Sequence, residues 1–311
     1  MNAAAVMSGH VDDYLRLRRT LGFKLEREGR WLHQFAGYLT AAGETTLTSA
    51  AALAWAAQPT PGPGLSNQPA NRLGVVRRFA GYLHTIDPAT EIPPPGVFPR
   101  HRRRPIPYLW SPTEISQLLD GARTIRSPLR AATHETLFGL LAATGMRLGE
   151  AIGLDRGHVD LHAGVVAIRE AKLDRERFVP LHPTTTTALR RYTTDRDRLC
   201  PHPRCDRFFL SSVGTALERS GVEKVFRQIT TAAGIRTATA HPRIHDLRHS
   251  LAVRTLIEWH RGGISVDENI AVLSAYLGHV SPADTYWYLS ASPELMQLAA
   301  QRLHAHFGAT R

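Results

Sequence analysis

One stretch limits this chain more than any other. Pro93-Pro94-Pro95, followed by Arg100-His101-Arg102-Arg103-Arg104, suits neither a helix interior nor a central strand, because proline lacks the backbone N–H both ladders need. The chain therefore reads as two bodies joined by an extended basic connection, residues 87–107. Length agrees, since 311 residues are comfortable for two domains. Hydrophobic residues make up 43% and charged residues 21%, enough to bury a core and too little charge for disorder.

Residues 1–86 read as four helices. Tyr14, Leu17 and Leu21 follow helical spacing, and Gly22 is placed to end that helix. A second helix, roughly 24–42, carries Leu32, Phe35 and Leu39 on one face. Alanine-rich 49–57 is the third, stopped by Pro59-Thr60-Pro61-Gly62-Pro63-Gly64. The fourth, about 68–85, turns Leu73, Val76 and Leu83 inward and leaves Arg72, Arg77 and Arg78 outside.

The second body, 108–311, opens with Ser111-Pro112-Thr113-Glu114, an N-cap, a first-turn proline and a capping-box glutamate. Ser127-Pro128 starts a longer helix through Leu137, Leu140 and Leu141, closed near Gly145. Val165–Ile168 and Phe178–Leu181 are the clearest strand-like runs, and the polar stretch Lys172–Glu176 between them predicts a β-hairpin with a long tip. Beyond 183 the pattern is mostly helical again, and Ser292-Pro293-Glu294 opens a last helix over 292–307. The expected fold class is mainly α: an all-helical N-terminal body and a mostly helical α+β body with a small hairpin sheet.

A formal net charge of +11 and a pI near 10.3 favour a polyanionic partner. Arg100, Arg102, Arg103 and Arg104 are read as a strap along a phosphate backbone, with Arg72, Arg77 and Arg78 adding to the same interface. No apolar run approaches a membrane span, no signal-peptide core opens the chain, and two cysteines cannot staple a protein this size. A cytoplasmic, nucleoid-associated protein without a membrane partner is the expectation. Cys200-Pro201-His202-Pro203-Arg204-Cys205 has two prolines among three possible ligands and no clear fourth ligand, so no metal site is expected.

Four segments of the second body carry chemistry. In Thr144-Gly145-Met146-Arg147-Leu148-Gly149-Glu150, Arg147 sits at a helix start that favours an anion, with Glu150 one turn on to brace it. Lys172, one of only three lysines, ends the first hairpin strand. In His245-Asp246-Leu247-Arg248, His245 and Arg248 share a helix face. Leu277-Gly278-His279 is followed nine residues later by Tyr288.

In this order the segments resemble the tyrosine recombinase (phage integrase) family over the whole chain. The Tyr286-Trp287-Tyr288 ending and the long spacing from Arg248 to His279, with 259–267 as an insertion, are similar to the transposon and insertion-element branch. The resemblance implies a core-binding domain at 1–86 and a catalytic domain at 108–311. It implies that Arg147 and Arg248 hold the scissile phosphate, Lys172 is the hairpin lysine, and His245 and His279 are the active-site histidines. Glu150 is then the supporting acid and Tyr288 the nucleophile; Tyr286 competes for that role, and position favours Tyr288.

This chemistry needs these residue types. Two guanidiniums neutralise a phosphodiester and grip its pentavalent transition state. Tyrosine then attacks phosphorus, and the covalent link stores the bond energy, so no cofactor, ATP or metal is called for. The expected partner is double-stranded DNA, bound by a homo-tetramer on two sites, with sibling recombinases or accessory DNA-bending proteins as further candidates. A type IB topoisomerase-like enzyme and a non-catalytic accessory protein are the alternatives; scattered acids disfavour a metal-dependent nuclease.

Overall fold

Four helices build the first unit: α1 (Ala3–Thr20), α2 (Glu26–Ala41), α3 (Ser49–Ala57) and α4 (Gln68–Leu83). They belong to a computed structural model that describes residues 3–59, 67–100, 106–170, 175–279, 281, 283–290 and 293–308. Val11, Leu15, Leu32, Phe35, Leu39, Trp55, Val76 and Phe79 close the core between them. On α1 the inward stripe is Met7, Val11, Tyr14 and Leu15, while Leu17 and Leu21 are exposed, contrary to the spacing argument. Leu17 lies about 200° round the helix from Leu15, and Leu21 falls beyond the helix end. Gly22 does take the left-handed conformation, at φ 83°.

The chain divides into two units on either side of residues 101–105. The first part of the expected connection is not free. The Glu91 N–H donates to Leu47 O, Arg77 Nε donates to Pro93 O at 3.0 Å, and Phe98 packs against the helical core. Proline-rich backbone thus lies along α4, where its carbonyls find side-chain donors.

In the second unit come α5 (Pro112–Arg123), α6 (Pro128–Thr144), α7 (Leu148–Ile152), β1 (Val159–Asp160), β2 (Val165–Glu170) and β3 (Arg175–Pro180). They are followed by α8 (Pro183–Leu199), α9 (Arg219–Ala232), α10 (Ile244–Arg261), α11 (Val266–Leu277), α12 (Ala283–Tyr286), a 3₁₀ turn (Trp287–Ser290) and α13 (Pro293–Gly308). Both halves of the Ser111 capping box form. The sheet is antiparallel in the order β1-β2-β3, with Val166 opposite Val179 and Ile168 opposite Arg177. Strand alternation sends Val166, Ile168 and Val179 into a core with Leu137, Phe138, Phe208 and Phe226, and leaves Phe178 outside.

A separate cluster joins Val253 and Leu256 of α10, Ile270, Leu273 and Leu277 of α11, Tyr288 and Leu295. Residues 259–267 form no separate inserted loop: they are the end of α10, a turn at Gly262-Gly263 and the start of α11. In the single chain α13 packs on its own α10, with Leu295 buried and Arg261 paired to Glu294 at 2.6 Å. Among the described residues no helix is long and apolar enough to cross a membrane.

Candidate active site

Two helix ends organise the site. Helices α6 and α11 finish at Gly145 (φ 63°) and Gly278 (φ 68°), both left-handed caps where a side chain is strained. The last carbonyls of a helix lack intrahelical donors and carry partial negative charge. Two arginines use them. Arg248 donates from Nη1 to Gly145 O at 2.9 Å and from Nη2 to Leu277 O at 2.7 Å. Arg147 donates from Nη2 to Gly278 O at 2.7 Å.

Arg147 is itself the N-cap of α7. Glu150, at the third helical position, accepts from the Arg147 backbone N–H at 2.8 Å and from Arg147 Nη1 at 2.7 Å. Burial pushes the Glu150 carboxyl up, but Arg177 and Arg147 outweigh burial and hold it below the usual carboxylate range. Asp246, almost fully buried, caps α10 by accepting from the Arg243 backbone N–H and from Arg243 Nη2, both at 2.8 Å. That cap fixes the helix start bearing His245 and, one turn on, Arg248.

Arg248 is 2% exposed and Tyr288 is also 2% exposed, and the guanidinium hydrogen-bonds the phenol. Burial raises the Tyr288 pKa, against the pull of Arg248 and Arg147. Tyr288 therefore rests protonated beside two cations. Tyr286 is 46% exposed and ends α12, one element away.

Two histidines pack against the Tyr288 ring, and a third, His245, packs on one of them. His279 stacks on the Tyr288 ring at 5.9 Å and shares a 2.6 Å hydrogen bond through Nδ1 with the buried Thr285 hydroxyl. Burial, then Arg248 and Arg147, push His279 down to about 4. His249 packs between His245, Trp287 and Tyr288, and burial pushes it down to about 3. His245 is open to solvent on one side; loss of water on its packed side, then Arg248, lowers its pKa. Neutral imidazoles leave the positive charge of the site to the arginines.

Of the residues expected from sequence, Arg147, Glu150, His245, Arg248, His279 and Tyr288 come together. Lys172 lies outside the described residues, as do Arg102, Arg103 and Arg104. Arg77 and Arg78 are exposed on α4, and Arg78 and Arg100 lie over Gly74. Arg72 is only half-exposed, because its guanidinium covers the Trp55 ring at 5.3 Å and donates to Gln58 O. Cys200 and Cys205 both lie against Gly214, and among the described residues no three metal-binding side chains converge.

Sequence reasoning missed Arg177, His249 and Thr285. Arg177 was detectable, since alternation puts it on the same strand face as buried Val179, and a charge on a buried face must be paired. Also missed was a pocket of about 520 Å³ beside Arg147 and His245, lined by Arg219, Arg227, Arg236 and Arg243. Those arginines are scattered along the chain, and only the fold gathers them.

The comparisons with known proteins agree with one another. The profile of the phage integrase family matches residues 110–294. The Sinorhizobium fredii protein y4rB, named as an integrase/recombinase, is 41% identical over 304 residues, covering 94% of this chain and 95% of that protein. The tyrosine recombinase XerD of Neisseria meningitidis is 28% identical over 224 residues, covering 72% and 70%. A solved structure of the Tn1549 transposon integrase with circular-intermediate DNA has the same fold, with a TM-score of 0.65 at 15% identity over 95% of this chain and 99% of that one. The resemblance read from the motifs holds, and the chain belongs to the phage integrase family.

Proposed function

We propose that this chain is a site-specific DNA recombinase of the integrase and transposase type, which cuts and rejoins duplex DNA through a 3′-phosphotyrosyl intermediate. The observation that carries the reading is the buried Tyr288 phenol hydrogen-bonded to Arg248, which also donates from Nη1 and Nη2 to two carbonyls at helix ends. A phosphate entering there meets two guanidiniums and a nucleophile at once.

Arg147 and Arg248 neutralise the non-bridging oxygens and hold the pentavalent phosphorus. Tyr288 Oη attacks phosphorus, its proton passes to solvent water as the new P–O bond forms, and the bond to the 5′ oxygen breaks. Lys172, by its resemblance to the family's hairpin lysine, protonates the departing 5′ oxygen. Attack by a different 5′-hydroxyl reverses these steps and exchanges strands. Each unit offers its own positive groups for duplex DNA, the exposed Arg77 and Arg78 of α4 on the first and the arginine-lined pocket beside Arg147 on the second, consistent with the DNA complex named for the Tn1549 integrase. The assembly is a homo-tetramer on two sites in the nucleoid, aided by sibling recombinases or DNA-bending proteins.

The test uses nicked duplexes tiled across the DNA flanking the gene, with EDTA present. Wild type should form a detergent-stable protein–DNA complex and join two differently labelled duplexes, while Tyr288→Phe should bind DNA and form neither product. Rejoining only to the original partner would support topoisomerase-like relaxation instead. No covalent complex from wild type on any duplex would sink the recombinase reading.

A further inference from the structure

Strand β3 brings a third guanidinium to the site. Arg177 donates from Nη1 to Glu150 Oε1 at 3.1 Å and from Nη2 to Glu150 Oε2 at 2.7 Å, a two-toothed grip. Each Glu150 oxygen thus accepts twice, once from Arg177 and once from Arg147. The carboxylate has no capacity left for a further donor. Arg177 also crosses directly over Gly278: a Cβ added there would lie 2.7 Å from its Cζ. Gly278 O is the other acceptor holding Arg147. One side chain therefore touches both groups that aim Arg147.

We propose that Arg177 is a positioning residue for strand cleavage, which takes up part of the Glu150 charge and fixes both acceptors of Arg147, so that the Arg147 guanidinium is held in place with its charge directed at the scissile phosphate. The proposal deepens the recombinase reading and rests on it. Its electrostatics are simple. Two guanidiniums share one carboxylate, so the trio keeps a net positive charge. Without Arg177 the whole Glu150 charge would oppose Arg147, in a half-buried place where such pairs interact strongly. Lysine cannot substitute, because a point charge neither forks across a carboxylate nor lies flat over a glycine.

An ion pair that only stiffened the hairpin would change stability and leave the dependence on phosphate charge alone. The experiment separates the two. Single-turnover cleavage at saturating protein is measured on a nicked duplex that wild type cuts, and on the same duplex with a methylphosphonate at the cut position. There a neutral methyl replaces one charged oxygen, so the reaction asks less of Arg147. Arg177→Ala should cut natural DNA on the order of 10–100-fold more slowly, the usual cost of losing a group that orients an active-site residue. Arg177→Lys should remain defective, with DNA binding retained in both. On the methylphosphonate the deficit should largely disappear. Should Arg177→Ala fail to fold, Arg177→Lys is read on the same pair of duplexes. An equal deficit on both duplexes, or full activity of either variant, would overturn the role of Arg177 while wild-type cleavage still upheld the recombinase reading.

Discussion

Arg248 is as buried as a core leucine, and a guanidinium out of water is costly unless its donors are used. The carbonyls at the ends of α6 and α11 use them without cancelling the charge, and that residual charge is what a phosphate needs. The histidines show the same economy. His279 and His249 are held down to about 4 and about 3, whereas an unfolded histidine titrates near 6.5. Between those values the unfolded chain binds more protons than the native one, so stability is fully present above about pH 6.5 and is lost as pH falls through 4. Thermal midpoints measured between pH 7 and pH 4.5 should therefore decline, and His249→Phe should decline less steeply than wild type. A wild-type midpoint that held constant or rose on acidification would contradict the neutral-histidine site.

Helix ends are the elements that matter most, because the site is built where α6 and α11 stop. Gly145 has φ 63°, and a Cβ there would lie 2.9 Å from Leu251 and 3.1 Å from Leu277. Gly145→Ala should lower stability by about 1–2 kcal/mol and slow cleavage by shifting the carbonyl that holds Arg248. A urea midpoint equal to wild type would show that this cap is dispensable. Much of this was legible in sequence: the caps at Ser111 and Gly145, the helix 49–57 and both hairpin strands are local patterns with local causes. The arginines, histidines and Tyr288 of the proposed site were picked out through motif spacing. Arg177 and Thr285 were not assigned, because each gains its meaning from a partner far along the chain or packed behind the motif. Strand β1, two residues long, is too short to show alternation. The α1 stripe was misjudged because leucine spacing alone does not say which of two helical faces meets α2 and α4.

Over the whole molecule, charge decides the partner before geometry decides the chemistry. A net +11 predicts that DNA affinity falls steeply with salt, with a slope near −0.9 for each phosphate neutralised. Replacing Arg102, Arg103 and Arg104 by Ala should flatten that slope by about one unit per lost contact; an unchanged slope in filter-binding or anisotropy titrations would mean that the run only faces solvent. The central claim is narrower than DNA binding. It is that Tyr288, buried against Arg248, becomes covalently joined to a 3′-phosphate, while exposed Tyr286 does not. The most direct measurement is to trap wild-type protein on a nicked duplex, digest the protein and the DNA, and locate the nucleotide-bearing peptide by tandem mass spectrometry. The account predicts the added nucleotide on Tyr288; a nucleotide on Tyr286, or on any other residue, would contradict it.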